Sequence, residues 1–315
     1  MLTAITIGRI AQQVFSGARE ASIWGLTARG IFLHLQSDWM VFLSGEAHRG
    51  PLTVNLTGDM QRLFSLVPGS PVRLRDGIFY FKSLGMEIRW SEAAPWEPPP
   101  HAEAGLSSEE LGRGLLAVVQ GVWVGQKSRS RRGFLRSVLE FVQNPDGQAP
   151  ESAASHEIAD LVQAVRIDEP AALSSALASF IGKGQGLTPS GDDLATGLLL
   201  TVNRWGSRLF PGQEMRLGRL NRAAIQVAHR NTTTLSANLI ECAALGQADE
   251  RLVTALDGIM TGKPEPSVCA DLLLGWGSSS GSDALAGMVL AIKTLSMLEG
   301  NMSAGSSAAK PAASG

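Results

Sequence analysis

Apolar residues change their spacing once along this chain, near residue 105, and the change divides it into two kinds of structure. Before that point they fall in short runs rich in β-branched and aromatic side chains, at 31–35, 39–43, 52–56, 72–74 and 78–81. Gly, Asp, Ser or Pro bounds these runs, so the pattern predicts strands joined by turns. Arg75-Asp76-Gly77 is a hairpin signal, because Asp-Gly tolerates the positive φ of a tight turn. Residues 1–94 are therefore expected to form a small β-sandwich or barrel.

Pro95-Trp96-Glu97-Pro98-Pro99-Pro100 interrupts this pattern. Proline removes backbone donors and stiffens the chain toward polyproline II, so 95–105 reads as a linker. Beyond it apolar positions recur every three or four residues. That period predicts helices over 107–124, 131–143, 154–166, 169–181, 192–205, 214–229, 234–245, 248–260, 265–274 and 283–298. The expected fold class is α+β, with a β-rich N-terminal domain and a mostly α-helical domain over 106–300. Residues 301–315 are chiefly Ser, Ala and Gly, too poor in large apolar side chains to offset the entropy of ordering, and are expected to be disordered.

One internal echo cuts across these elements. The segment from Ser190 to Leu200, SGDDLATGLLL, aligns without gaps to that from Ser280 to Leu290, SGSDALAGMVL. Both carry Ser-Gly-x-Asp, both have a glycine four residues after the aspartate, and both follow a Gly/Ser-rich loop into an apolar helix. Two equivalent helix N-termini facing one site are the expectation.

Composition narrows the partners. A formal charge of −2 in 315 residues gives no global field to attract nucleic acid or an acidic membrane. No uncharged apolar run reaches membrane-spanning length, and residues 1–15 lack the pattern of a signal peptide. Cys242 and Cys269 have no CxxC spacing and read as reduced core thiols of a cytoplasmic protein. Small molecules and protein partners remain.

The chemistry concentrates in the loop running from Gly182 to Asp193, GKGQGLTPSGDD. A helix start leaves unsatisfied N–H groups and a partial positive charge, which favour a phosphate or carboxylate. Gly184, Gly186 and Gly191 keep side chains out of the way, while Thr188 and Ser190 add hydroxyls. Plain helix capping by Ser190 or Asp192 is the alternative. Adjacent side chains diverge by about 100° on a helix, so Asp192 and Asp193 are not expected to share one ion. One of them caps, with Asp192 counted among the substrate-binding residues of the loop; the matched pair Asp193 and Asp283 is assigned to the site as orienting or catalytic groups. No cofactor is expected, with Mg²⁺ beside a phosphate as the alternative. Arg230, Thr232 and Thr233 form a further segment suited to an anion, and Ser279, Ser280 and Gly281 belong to the second loop. The basic run 127–132 reads as a solvated loop.

Familiar nucleotide and hydrolase signatures are missing. No Gly-Lys-Ser/Thr closes the loop, and Pro189 stands where a dinucleotide fingerprint has its third glycine. Gly277-Ser278-Ser279-Ser280-Gly281 spells a nucleophile elbow, yet the last histidine, His229, lies upstream of it, against the required order. No two histidines have metal-ligand spacing.

The strings Gly184-x-Gly186-Leu187-Thr188-Pro189-Ser190-Gly191-Asp192-Asp193, Asn231-Thr232-Thr233-Thr234-Leu235-Ser236 and Ser279-Ser280-Gly281-x-Asp283-x-x-x-Gly287 resemble a family once catalogued only as a domain of unknown function, now associated with the AllH subunit of oxamate carbamoyltransferase. The resemblance extends over most of 20–298. It implies a subunit of a hetero-oligomer, working with an acyl-CoA-synthetase-like subunit and a third, large one. It also implies transfer of a carbamoyl group between oxalurate and phosphate, giving oxamate and carbamoyl phosphate, in purine (allantoin) catabolism. Two other readings stand beside it: an ATP-dependent small-molecule kinase, and a non-catalytic metabolite-binding scaffold or sensor.

Overall fold

The computed structural model describes residues 2–101, 106–126, 133–143 and 153–295. The basic run 127–132, the tail 301–315 and the linker residues 102–105 lie outside the described residues.

The N-terminal region is one nine-stranded sheet curled into a half-barrel, with no second sheet among the described residues. Its strands are β1 (Thr3–Gly8), β2 (Glu20–Thr27), β3 (Gly30–Leu35), β4 (Met40–Ser44), β5 (Thr53–Thr57), β6 (Pro71–Arg75), β7 (Ile78–Phe81), β8 (Met86–Arg89) and β9 (Ala94–Trp96). Their order is β8-β7-β6-β2-β3-β4-β5-β1-β9. The β4–β5 and β1–β9 pairs are parallel and the rest antiparallel. Asp76 and Gly77 take positive φ between β6 and β7, as the hairpin signal requires. The barrel half of the sequence expectation is thus realised, incompletely closed.

Helix α1 (Arg9–Gly17) connects β1 to β2 and was not expected from the sequence. It buries Ile10, Ala11 and Phe15, and the Phe15 ring meets Phe79 edge-on at 5.0 Å and Trp90 at 5.3 Å. The proline run begins inside the sheet: Pro95 and Trp96 belong to edge strand β9, where a missing N–H leaves no broken ladder bond. Pro99 is then held by Arg204, whose Nη2 donates to its carbonyl at 2.7 Å.

The helical region comprises α2 (Ser108–Gly125), α3 (Phe134–Gln143), α4 (Ala153–Ile167), α5 (Pro170–Ala178), α6 (Ser190–Leu209), α7 (Glu214–Asn231), α8 (Thr234–Ala244), α9 (Glu250–Thr261), α10 (Pro266–Leu274) and α11 (Ser280–Leu290). Helix α6 is buried along most of its length and α11 along nearly all of it, so both form the centre of the bundle. They lie side by side with their N-termini together, because Thr188 and Ser280 meet at one end while Gly197 lies against Ala284 and Gly287 against Leu194 further along.

Those two glycines explain the internal echo. A Cβ on Gly197 would lie 1.9 Å from the Ala284 carbonyl, and one on Gly287 would lie 2.0 Å from the Leu194 carbonyl. In the SGDDLATG/SGSDALAG alignment Gly197 matches Gly287 and Leu194 matches Ala284. Each helix therefore uses its glycine to approach the same backbone position on the other. The packing has local two-fold symmetry, and only glycine permits so close an approach.

Sheet and bundle meet through α8 and the start of α9. The Met40 N–H donates to Asn238 Oδ1 at 2.8 Å, and the Glu250 N–H donates to the Arg49 carbonyl at 2.8 Å. Arg49 and Glu250 also form an ion pair, and Ile10, Leu52 and Cys242 pack together at the seam.

Candidate anion-binding site at two helix starts

The approach through Gly197 and Gly287 brings the first turns of α6 and α11 together, and there the symmetry continues in side chains. The Ser280 hydroxyl faces Asp193 and the Ser190 hydroxyl faces Asp283, each favouring the charged form of that carboxylate. Ser190 matches Ser280 and Asp193 matches Asp283, so each helix start offers its serine to the other's aspartate. Thr188 adds a second hydroxyl on the α6 side, 3.3 Å from Asp193 Oδ2 and 3.2 Å from Ser280 Oγ.

Neither helix is capped by its own side chain. The N-cap residues are Pro189 and Ser279, and neither makes a side-chain cap bond. The Pro189 carbonyl accepts from Asp192 N at 2.9 Å and Asp193 N at 3.1 Å, and the Ser279 carbonyl accepts from Ser282 N at 3.0 Å and Asp283 N at 3.1 Å. The N–H groups of Gly191 and Gly281 go to the carbonyls of Lys183 and Trp276, both at 3.0 Å. Among the described residues the N–H groups of Ser190 and Ser280 donate to no acceptor. A pair of free donors at positive helix ends is the feature an anion needs.

The three aspartates are almost completely covered, with relative exposures of 1% for Asp192, 2% for Asp193 and 0% for Asp283. Burial raises the pKa of each, since a charged carboxylate loses its water. Asp193 is pushed well above the carboxylate range, by burial first and then by the neighbouring charge of Asp283, against the hydroxyls of Ser280 and Thr188. Asp283 is pushed up to about 6, held back by the Phe134 N–H and by Ser190. A neutral Asp193 has both a carbonyl acceptor and an O–H donor to offer.

Asp192 turns elsewhere. Its Oδ1 accepts from Gly182 N at 2.7 Å and its Oδ2 accepts from the Thr232 hydroxyl. It thus ties the start of the glycine loop and the end of α7 to α6. Asp192 and Asp193 face different partners, as their angular separation on the helix requires. Thr233 caps α8 by accepting from Ser236 N at 3.2 Å and donates to the Leu187 carbonyl at 3.3 Å, so the 231–233 segment is docked against the loop.

The glycines do less for a ligand, and more for packing, than their spacing implied. A Cβ on Gly191 would lie 1.9 Å from the Phe180 carbonyl, one on Gly281 would lie 1.8 Å from the Leu273 carbonyl, and one on Gly184 would lie 2.5 Å from Ser190 N. Gly186 alone faces open space, at φ 106°. Arg230 is exposed on the last turn of α7 and makes no hydrogen bond or ion pair among the described residues. Lys183 pairs with Glu157 on α4. Among the described residues, no group of three or more His, Cys, Asp or Glu side chains is arranged to hold a metal ion, and no helix is long and apolar enough to cross a membrane.

Sequence reasoning missed the residues that come from far away. Gly133 and Phe134, at the start of α3, lie against Asp283, and Phe180 lies against Gly191. Nothing local in the sequence marks them, because the contact between Phe134 and Asp283 spans 149 positions.

No solved structure matches this chain. The resemblance carried by the three motifs holds over residues 180–292, which match the family model of oxamate carbamoyltransferase subunit AllH, a span that takes in both helix starts and the 231–233 segment.

Proposed function

We propose that this chain is the subunit of a carbamoyltransferase that binds a small carboxylate or phosphate where α6 and α11 begin. The observation that carries the reading is the reciprocal helix start: two uncapped N-termini side by side, each serine turned to the other's aspartate, with the N–H groups of Ser190 and Ser280 donating to no acceptor among the described residues. Oxalurate, oxamate, carbamoyl phosphate and phosphate are all small anions, and the first three also carry an amide. Donors at the helix ends suit the anionic oxygens or an oxyanion developing on the carbamoyl carbon. Asp193 suits the amide, because its carbonyl accepts an N–H and, when neutral, its O–H donates.

In the transfer this reading assigns, a phosphate oxygen bonds to the terminal carbamoyl carbon of oxalurate while the bond from that carbon to the imide nitrogen breaks. The products are carbamoyl phosphate and oxamate. The departing nitrogen needs a proton, and in this reading neutral Asp193 gives it, regaining one in the reverse direction. The partners are the acyl-CoA-synthetase-like subunit and the third subunit of such an enzyme.

Calorimetry on the full chain, alone and with its partner subunits, tests the reading. Binding of oxamate, carbamoyl phosphate or phosphate that competes at one site supports it. Tight binding of ATP–Mg²⁺ with no response to carbamoyl phosphate would replace it with a kinase. Anion binding without turnover in any assembly would leave a metabolite sensor.

A further inference from the structure

We infer that Asp283 is a positioning residue, which fixes the start of α3 against the starts of α6 and α11, and that Asp193 alone of the matched pair meets the ligand. The inference rests on the binding site proposed above and divides the labour within it.

The two aspartates occupy equivalent places and each faces the other helix's serine, but their remaining partners are unlike. Asp193 is met by two hydroxyls, Thr188 and Ser280, on the side of the glycine loop. A hydroxyl donates or accepts by rotating, so it accommodates either protonation state of Asp193 and a change of partner when a ligand arrives. Asp283 Oδ1 instead accepts from the backbone N–H of Phe134 at 2.8 Å. A backbone N–H only donates, so that oxygen is committed as an acceptor. The bond satisfies one of the orphan donors of the first turn of α3, which makes Asp283 a cap supplied by a distant helix.

The surroundings permit little else. A Cβ on Gly133 would lie 2.2 Å from Asp283 Oδ1, so α3 approaches as closely as a residue without a side chain allows. Asp283 is fully buried, and among the described residues its Oδ2 makes no hydrogen bond of normal geometry. The Phe134 ring meets Phe180 edge-on at 6.4 Å, and the Phe180 carbonyl lies against Gly191 in the first turn of α6. A displacement of α3 is therefore transmitted to the helix start that carries Asp193.

Four variants of the full chain test this, read by oxamate calorimetry and by amide hydrogen exchange at Phe134. Asp283→Asn keeps a carbonyl acceptor and should bind oxamate within about threefold of the parent, with Phe134 still protected. Asp283→Ala and Gly133→Ala should each lose about tenfold or more in affinity and expose Phe134 to faster exchange. Asp193→Asn should lose binding with Phe134 unaffected. The inference is overturned if Asp283→Asn loses oxamate as fully as Asp283→Ala while Phe134 stays protected, because the carboxylate itself would then be needed by the ligand. It is equally overturned if Phe134 exchange is the same in Asp283→Ala as in the parent. A parent chain that binds no small anion would count against the proposed function, while the exchange comparison would still decide the tie to α3.

Discussion

The start of α6 and the start of α11 are built alike and hold their aspartates differently. Both have an uncapped first turn, a glycine pressed on a neighbouring carbonyl, a serine N–H without an acceptor among the described residues and a buried aspartate in the first turn. At α6 the aspartate faces hydroxyls beside the glycine loop, and at α11 it is bound to the backbone of α3. Symmetric packing is thus compatible with different hydrogen bonding in its two halves. What separates the two carboxylates here is the fixed backbone donor, Phe134 N–H, on Asp283.

The sharpest break of this comparison is Asp193→Asn. With the fold intact, turnover of the assembled complex should fall by about 100-fold or more, as loss of a proton-transferring group does. Near-normal steady-state turnover would remove Asp193 from the chemistry. Next in size are Gly197→Ala and Gly287→Ala, which force a methyl group to within about 2 Å of a backbone carbonyl. Each should lower stability by about 2–3 kcal/mol in denaturant unfolding, and by similar amounts, because the contacts are reciprocal. A large loss from only one of them would show that the symmetry is superficial.

A smaller effect follows from Asp283. Its folded pKa of about 6 lies above the ordinary carboxylate value of 3.8, so the folded chain holds a proton that the unfolded chain has released. The stability this contributes is fully present below the unfolded value and is lost as pH rises through about 6. Between pH 5 and 7 it amounts to roughly 1 kcal/mol. Unfolding across that range should show the decline in the parent and a flatter profile in Asp283→Asn. The smallest change serves as the contrast to the packed glycines. Gly114, inside α2, has open space where its Cβ would be, so Gly114→Ala should stabilise by about 0.5–1 kcal/mol in the same assay.

The sequence made the repeated and periodic parts of this structure legible and hid those that depend on distant contacts. All ten expected helices correspond to observed ones, because apolar spacing reports burial directly. The five expected strands lie within or one residue beside observed strands. Others escaped for identifiable reasons. A shift in pairing after Ile23 disturbs the alternation of β2, and another after Ala4 does the same to β1. Strand β9 contains Pro95 and so resembles linker. Within the site, the Ser-Gly-x-Asp echo correctly marked two matched helix starts. It gave no sign that Asp283 reaches Phe134, that Asn238 serves the domain seam, or that Gly191 and Gly281 accommodate carbonyls of the protein itself.

The central claim is that a small anion is held jointly by the two helix starts, and a crystal structure of the full chain soaked with oxamate and phosphate tests it most directly. The account expects an anion within hydrogen-bonding reach of the Ser190 and Ser280 N–H groups, with its amide, where it has one, on Asp193. An anion bound elsewhere while both serine N–H groups stay unengaged would contradict it.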